Sequence, residues 1–390
     1  MTVGKSAGAI LAYIAEATYG TTPATPAFSN LVFENESLGM GRGSLQDNSI
    51  NSTRNRDFHG DGNKSISGGL GGNFIYSQWD DFLAAALFSS WNAAKTSVTV
   101  TDATTLTISG EDKTATYPVG MKIVLYDHSG SGINDGDIHT ISASSFSTDT
   151  TLTVDTMGAS TGTVTIAAFV INGTTLSSFS LIRKIMSTAS PLSFVYSGMV
   201  PGSFSLDIKP EALVKASFNF LGKDEGTTEP GSSTYSDISG LGENPLSSYN
   251  GYISEGGSES NIITSLTLNV ENDLEALFAI GSDAVYEIAE GPLFKVSGSL
   301  SMYIEDLTQY NKFINGTHSS LILQLTDPAS GTVLDDTYHI ILPDIKFTGN
   351  KANIGGQGAI INDMPFEALS TGSGSNKWTM LISRWAATDS

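Results

Sequence analysis

Cysteine is absent from the 390 residues, which excludes disulfides and thiolate metal sites and leaves stability to burial and assembly. Basic residues are scarce as well. Nineteen Lys and Arg stand against 40 Asp and Glu, a formal charge of −21. Tight or sequence-specific binding of nucleic acid by the chain as a whole is disfavoured, because phosphate affinity rests on Lys and Arg. The same sign aids solubility, and it suits a surface past which nucleic acid must slide without sticking. Histidine occurs only as His59, His128, His139, His318 and His339, never in an HExxH spacing. No GxSxG elbow is present. The glycines of Gly68 to Gly72 fall inside a strand pattern rather than at a strand-to-helix turn, so they are not a dinucleotide fingerprint. The loop Asp127 to Asp137 carries acidic and amide groups at alternating positions but lacks the closing Glu of a calcium loop. Asp80 and Asp81 are adjacent on a helical pattern and are expected to point apart into solvent. No catalytic residue, metal or cofactor is expected, and the chain is not read as an enzyme. No apolar run reaches the roughly 18 residues of a membrane span, and the apolar patch after Lys5 shows no cleavage site, so no secretory leader is expected.

What the sequence does have is glycine, 41 residues of it, with abundant Ser and Thr and a frequent alternation of apolar and polar residues. These features predict a mainly β protein with many turns, divided into more than one domain.

One stretch organises the rest. Ile66 to Ser89 reads as a strand followed by a helix, with Trp79, Phe82, Leu83, Ala86 and Leu87 at helical spacing and Trp79 as a core anchor. The pattern returns at Val296 to Asn315, where Ser297, Gly298 and Leu300 answer Ser67, Gly68 and Leu70. Later, Val200 and Pro201 are answered by Leu342 and Pro343. Both halves read strand, loop, strand, helix and further strands, which suggests two tandem copies of one domain. The expected division is an N-terminal arm over 1–30, a first domain over 31–93 and 173–224, an insertion over 94–172, a linker over 225–260 and a second domain over 261–390. The insertion shows six short strands at regular spacing and predicts a small β-barrel or sandwich.

Strand alternation sorts the faces. Leu266, Leu268 and Val270 share one side of their strand and Ser265, Thr267, Asn269 and Glu271 the other. Phe204, Leu206 and Ile208 oppose Ser203, Ser205 and Asp207 in the same way. One face is dry, the other small and hydroxylic, and the second could line a wet channel if subunits pair edge to edge.

Glu16 to Pro26 (EATYGTTPATP), the strand and long loop carrying Arg54 and Arg56, the segment YSQWDDFLAAAL and the later SFSLDIKPEALVKASFNFLGKD together resemble the major tail tube proteins of long-tailed, siphovirus-like bacteriophages. The resemblance implies β-sandwich domains, each with a flanking helix, whose sheets join into a ring with a β-barrel lumen. It implies rings stacked into a tube for genome DNA, association with other tail proteins, synthesis in the host cytoplasm and residence in the virion tail. With two copies per chain, three chains would close a pseudo-hexameric ring. By strand parity Glu34, Glu36, Asp207, Asn269 and Glu271 are expected to face an acidic, small-polar lumen. Arg42, Arg54, Arg56 and Asp57 are expected to contact the adjacent ring, and the insertion to project outward. The competing expectation is a surface-displayed or secreted β-rich adhesin or carbohydrate-binding protein.

Overall fold

A computed structural model of the protein describes residues 8–386 apart from 48–54, 56–57, 128–131, 159–160, 187–190, 239–240, 242–243, 328–335, 353–358, 373 and 375. The alternation read in the sequence becomes strand burial directly. In Lys215–Gly222 exposed and buried residues alternate along nearly the whole strand, and Ile361–Ala368 repeats the pattern. Apolar side chains at every second position can leave water together only on one side of a pleated sheet. The protein is mainly β, with large sheets, a separate closed barrel and two α-helices of one to two turns among the described residues.

An antiparallel sheet runs through both halves of the chain. From one edge it proceeds from Asn35–Glu36 and Gly39–Gln46 to His59–Asn73, Lys215–Gly222 and the second half of Leu192–Ile208. It continues through Ile263–Glu271, Lys295–Tyr303 and Ile361–Ala368 to the end of Thr337–Phe347 and the short Lys351–Ala352. The order of neighbours in the second half repeats that in the first. Gly39 lies opposite Ser67 and Asn269 opposite Ser297, while Gly68 lies opposite Phe220 and Gly298 opposite Phe366. The two glycines are needed where they stand. A Cβ on Gly68 would come within 2.4 Å of the Ser37 carbonyl oxygen, and one on Gly298 within 2.4 Å of the Thr267 carbonyl oxygen.

Leu192–Ile208 belongs to two sheets. Its second half lies in the sheet just described, and its first half pairs with Phe179–Ile185, which pairs with Ile10–Ala15. The register shifts by a bulge between Pro201 and Ser203, which turns the strand from one layer into the other. Thr337–Phe347 does the same in the second half, pairing early with Ser319–Thr326 and Leu381–Trp385 and late with Ile361–Ala368. The hydrophobic core fills the space between the layers.

The helix Asp80–Ala86 is sunk in that core. Phe82 packs on Tyr13 (4.6 Å between ring centroids), Phe179 (5.0 Å) and Phe220 (5.2 Å), and Trp79 is fully buried against Phe218. Asp80 is not solvated as expected, whereas Asp81 is exposed. Asp80 is buried and accepts from the Arg384 guanidinium and the Tyr338 hydroxyl, and Asp81 accepts from Tyr13 Oη at 2.9 Å. The helix is covered by strands far away in sequence, so the buried Asp80 carboxylate needs partners. The helix Thr308–Ile314 contrasts with it, having no buried residue.

The stretches read as arm and linker also contribute strands. Ile10–Ala15 and Ala27–Asn30 pair with each other, Thr234–Ser236 adds to Ala27–Asn30 in parallel, and Gly251–Glu255 pairs with Ser319–Thr326. Six strands between Lys95 and Ile166 close into the separate barrel, in the order Thr150–Val154, Thr105–Ile108, Lys95–Asp102, Gly162–Ile166, Lys122–Asp127 and Asp137–Phe146. Its core is continuous with Ile341, Trp378, Leu381 and Trp385 of the body, and Tyr126 stacks on Trp385 with centroids 4.2 Å apart. The next strand, Ala168–Ile171, leaves the barrel and pairs with Leu381–Trp385.

Candidate functional site

The feature that stands apart chemically is the face of the long sheet that turns away from the core. Following partners across the strands, Asn35, Gly71, Ser217, Ser205, Asn269, Ser297 and Glu367 form one row. The adjacent row, Leu70, Phe218, Phe204, Val270 and Val296, points the other way and is buried. A third row on the polar face holds Asn73, Lys215, Asp207, Thr267, Ser299 and Pro365. Small side chains hold each other along it. Ser205 and Ser217 hydroxyls are 3.0 Å apart, Asn219 Nδ2 donates to Ser203 Oγ at 3.1 Å, and Ser301 Oγ donates to Asp363 Oδ1 at 2.7 Å. The outcome is a broad, nearly flush hydroxyl and amide surface.

The acidic groups on this face are interleaved with lysines. Lys215 bonds to Glu34 and to Asn73 Oδ1 (2.6 Å), Lys209 Nζ meets Asp207 at 2.5 Å, and Lys295 lies opposite Glu271 in the strand register. Lys351 lies opposite Asp363 and Lys346 opposite Glu367. The cations are all lysine: His59–Asn73, Leu192–Ile208, Lys215–Gly222, Ile263–Glu271, Lys295–Tyr303 and Ile361–Ala368 carry no arginine. Lysine offers phosphate a point charge, whereas arginine would offer a two-pronged grip.

Of the residues singled out by parity, Asp207, Asn269 and Glu271 lie on this face, and Glu34 reaches it through Lys215. Glu36 does not. It pairs in register with the buried Leu70 and accepts from Arg183 at 2.7 Å and from the Leu38 amide at 3.0 Å. The chain bends at Glu34 before the strand begins, so alternation cannot be carried across that point; Asn35 takes the polar face instead. Alternation along the strand puts Lys295 on this face with Ser297 and Ser299; Lys215 and Lys351 escape the sequence reading because a lone lysine on a strand carries no motif, although parity alone places Lys215 beside Ser217.

Arg42 lies on a long hairpin, Gly39–Gln46 with the first half of His59–Asn73, that runs beyond the sheet with mostly exposed side chains. Its guanidinium meets Asp61 at 3.2 Å and Asp283 at 2.6 Å. Asp283 comes from the turn of a second hairpin, Glu275–Phe278 with Val285–Ala289, whose Val285 and Ile288 are buried with Val200. Lys64 joins the same corner, its amide donating to the Asp283 carbonyl at 2.8 Å and its Nζ to Asp224 at 3.3 Å. Arg42 thus ties two hairpins together. Arg54, Arg56 and Asp57 lie outside the described residues.

Among the described residues no group of three or more His, Asp or Glu could hold a metal ion, and no helix is long and apolar enough to cross a membrane. No curated protein matches the chain. A family model described as phage tail tube protein matches residues 6–368, all but the two ends of the sequence. With this match set beside the mainly β architecture and its long polar-faced sheet, the chain belongs to the phage tail tube protein family, structural components of the virion tail that assemble with themselves and with other tail proteins.

Proposed function

We propose that the chain is a tandemly duplicated tube subunit of a long-tailed phage, three copies of which close a pseudo-hexameric ring, and that the stacked rings form the conduit for genome DNA. The observation that carries this reading is the repeated order of neighbours in the long sheet, with one polar face running unbroken through both repeats. Two equivalent wall segments in one chain can stand in for two subunits of a symmetric ring. The polar face lines the lumen, with Glu34, Asp207, Asn269 and Glu271 on it. The two hairpins held by Arg42, with the loop containing Arg54, Arg56 and Asp57, reach the next ring. The barrel over 95–166, rooted on Trp378 and Trp385 in the other layer, projects outward.

The mechanism is physical. Hydroxyls and amides that bond to each other give a passing phosphate few unpaired donors, and lysines paired with carboxylates add no continuous positive track for counterion release to exploit. DNA then meets a wetted wall with little purchase. Cryo-electron microscopy of the purified tube tests the reading. Three chains per ring with Ser205, Ser217 and Asn269 on the inner wall are expected. Six chains per ring would overturn the duplication argument, and a strongly net positive lumen would overturn the sliding argument.

A further inference from the structure

The boundary between the two repeats inside one chain is a finished seam. Leu192–Ile208 meets Ile263–Glu271 with Ser205 opposite Asn269 and Phe204 opposite Val270. Behind the sheet the first-half helix bridges to the second half. Asn272 Nδ2 donates to the Ala86 carbonyl at 2.8 Å, and Asp80 takes Arg384 and Tyr338.

The same parts recur unmatched at the outer edges. The counterpart of Asn269 is Gly39, since the two lie opposite Ser297 and Ser67. The counterpart of Ser205 is Lys351. Ser205 faces Ser217, which faces Gly71, and Lys351 faces Asp363, which faces Ser301. Val270 is fully buried at the closed seam, while its counterpart Met40 is 46% exposed at the open edge. The helices differ likewise. Phe82 to Ala86 are buried, whereas Ile304, Leu307, Tyr310 and Ile314 around the second helix are exposed, Leu307 at 65%.

We infer that the second helix and the strand edge at Thr348–Ala352 form a docking surface for a second copy of this chain, which seats the start of its Gly39–Gln46 strand, Gly39 to Gly41, with Gly39 opposite Lys351. The partner is this chain rather than another protein because the complementary edge is on the molecule, in the register that the closed seam already uses. Burial of Met40 and of the apolar helix face then accounts for both exposed patches. This inference rests on the tube reading but fixes a register which that reading leaves open.

The absence of cysteine makes the test direct. Gly39→Cys combined with Lys351→Cys supplies the only two thiols, and a Cβ at Gly39 meets nothing within 4 Å. Ser205→Cys with Asn269→Cys is the control for the same pair geometry within one chain. Under a mild oxidant, assembled Gly39→Cys/Lys351→Cys tubes are expected to give covalent dimers and trimers on a non-reducing gel, with nothing larger. The control is expected to give only a cross-linked monomer. Independently, Leu307→Lys should raise the concentration needed for assembly by at least about tenfold, the order expected for charging a buried contact, while the monomer keeps its melting temperature. Tubes that form without interchain disulfides while the control closes would overturn the register and leave the tube reading intact. Unchanged assembly by Leu307→Lys would overturn the helix contact. A wild-type chain that forms neither rings nor tubes would remove the tube reading and this inference with it.

Discussion

Lowering the pH from 7 to 5 should cost the protein about 2 kcal/mol through a single histidine. His339 is fully buried in Thr337–Phe347, its Nε2 3.2 Å from Gln324 Oε1 and its Nδ1 without a partner, with Tyr126 edge-on at 6.4 Å. Burial pushes its pKa down from the ordinary 6.5 to about 3. The neutral ring is therefore the folded form throughout, while the unfolded chain takes up a proton below about pH 6.5. Stability is unaffected by this group above that pH and falls progressively between 6.5 and 3. At pH 5 the unfolded state has gained roughly 1.5 pH units of proton binding at about 1.4 kcal/mol each, hence the 2 kcal/mol. Comparing wild type with His339→Leu in urea titrations at both pH values isolates the term. The other carboxylates and histidines are common to both proteins, so the stability difference between them should shift by about 2 kcal/mol in favour of the variant at pH 5. Tryptophan fluorescence is a suitable signal because Trp385 stacks on Tyr126 in the same cluster. Parallel pH profiles for the two proteins would show that the ring is protonated or solvated in the folded state, and the reasoning would fail.

Asp80→Ala should destabilise the protein by roughly 3 kcal/mol, because it strips Arg384 and the buried Tyr338 hydroxyl of their shared acceptor; a melting curve within 1 °C of wild type would contradict this. Gly68→Ala and Gly298→Ala should each cost at least about 2 kcal/mol, measured by denaturant midpoint, since the added methyl meets backbone oxygen at 2.4 Å in both, whereas Gly39→Ala should be near neutral in the isolated chain. Replacing residues 95–166 by a short linker should leave tube formation intact in electron micrographs while raising dye binding, because Trp378 and Trp385 lose their cover. Loss of tubes on that deletion, persisting when both tryptophans are also made polar, would mean that the barrel takes part in assembly.

Much of this architecture could be read from alternation, and the exceptions have physical causes. The six strands of the barrel and the dry and wet faces around Phe204 and Leu268 follow from a period of two, which is local information. The strand content of 225–260 does not, because Gly251–Glu255 and Thr234–Ser236 exist only through partners distant in sequence, and a Gly- and Ser-rich composition hides short edge strands. Glu36 was assigned to the wrong face because parity assumes an unbroken strand, and the bend at Glu34 breaks it. Asp80 was read as solvated because its partners, Tyr338 and Arg384, lie in the last third of the chain.

Leu192–Ile208 and Thr337–Phe347 each run through both layers without a break. In most two-layer β folds the sheets are joined by loops, and their soft mode is to slide across one another. Here the same peptide backbone is woven through both, so sliding would have to break strand hydrogen bonds on one side or the other of the bend. In the proposed tube, a radial push from within would load these strands along their length, where many hydrogen bonds must shear together, rather than peeling them one at a time. The bulge at Pro201 to Ser203 is then the compliant point of the wall, where curvature can change while the two layers stay locked in register.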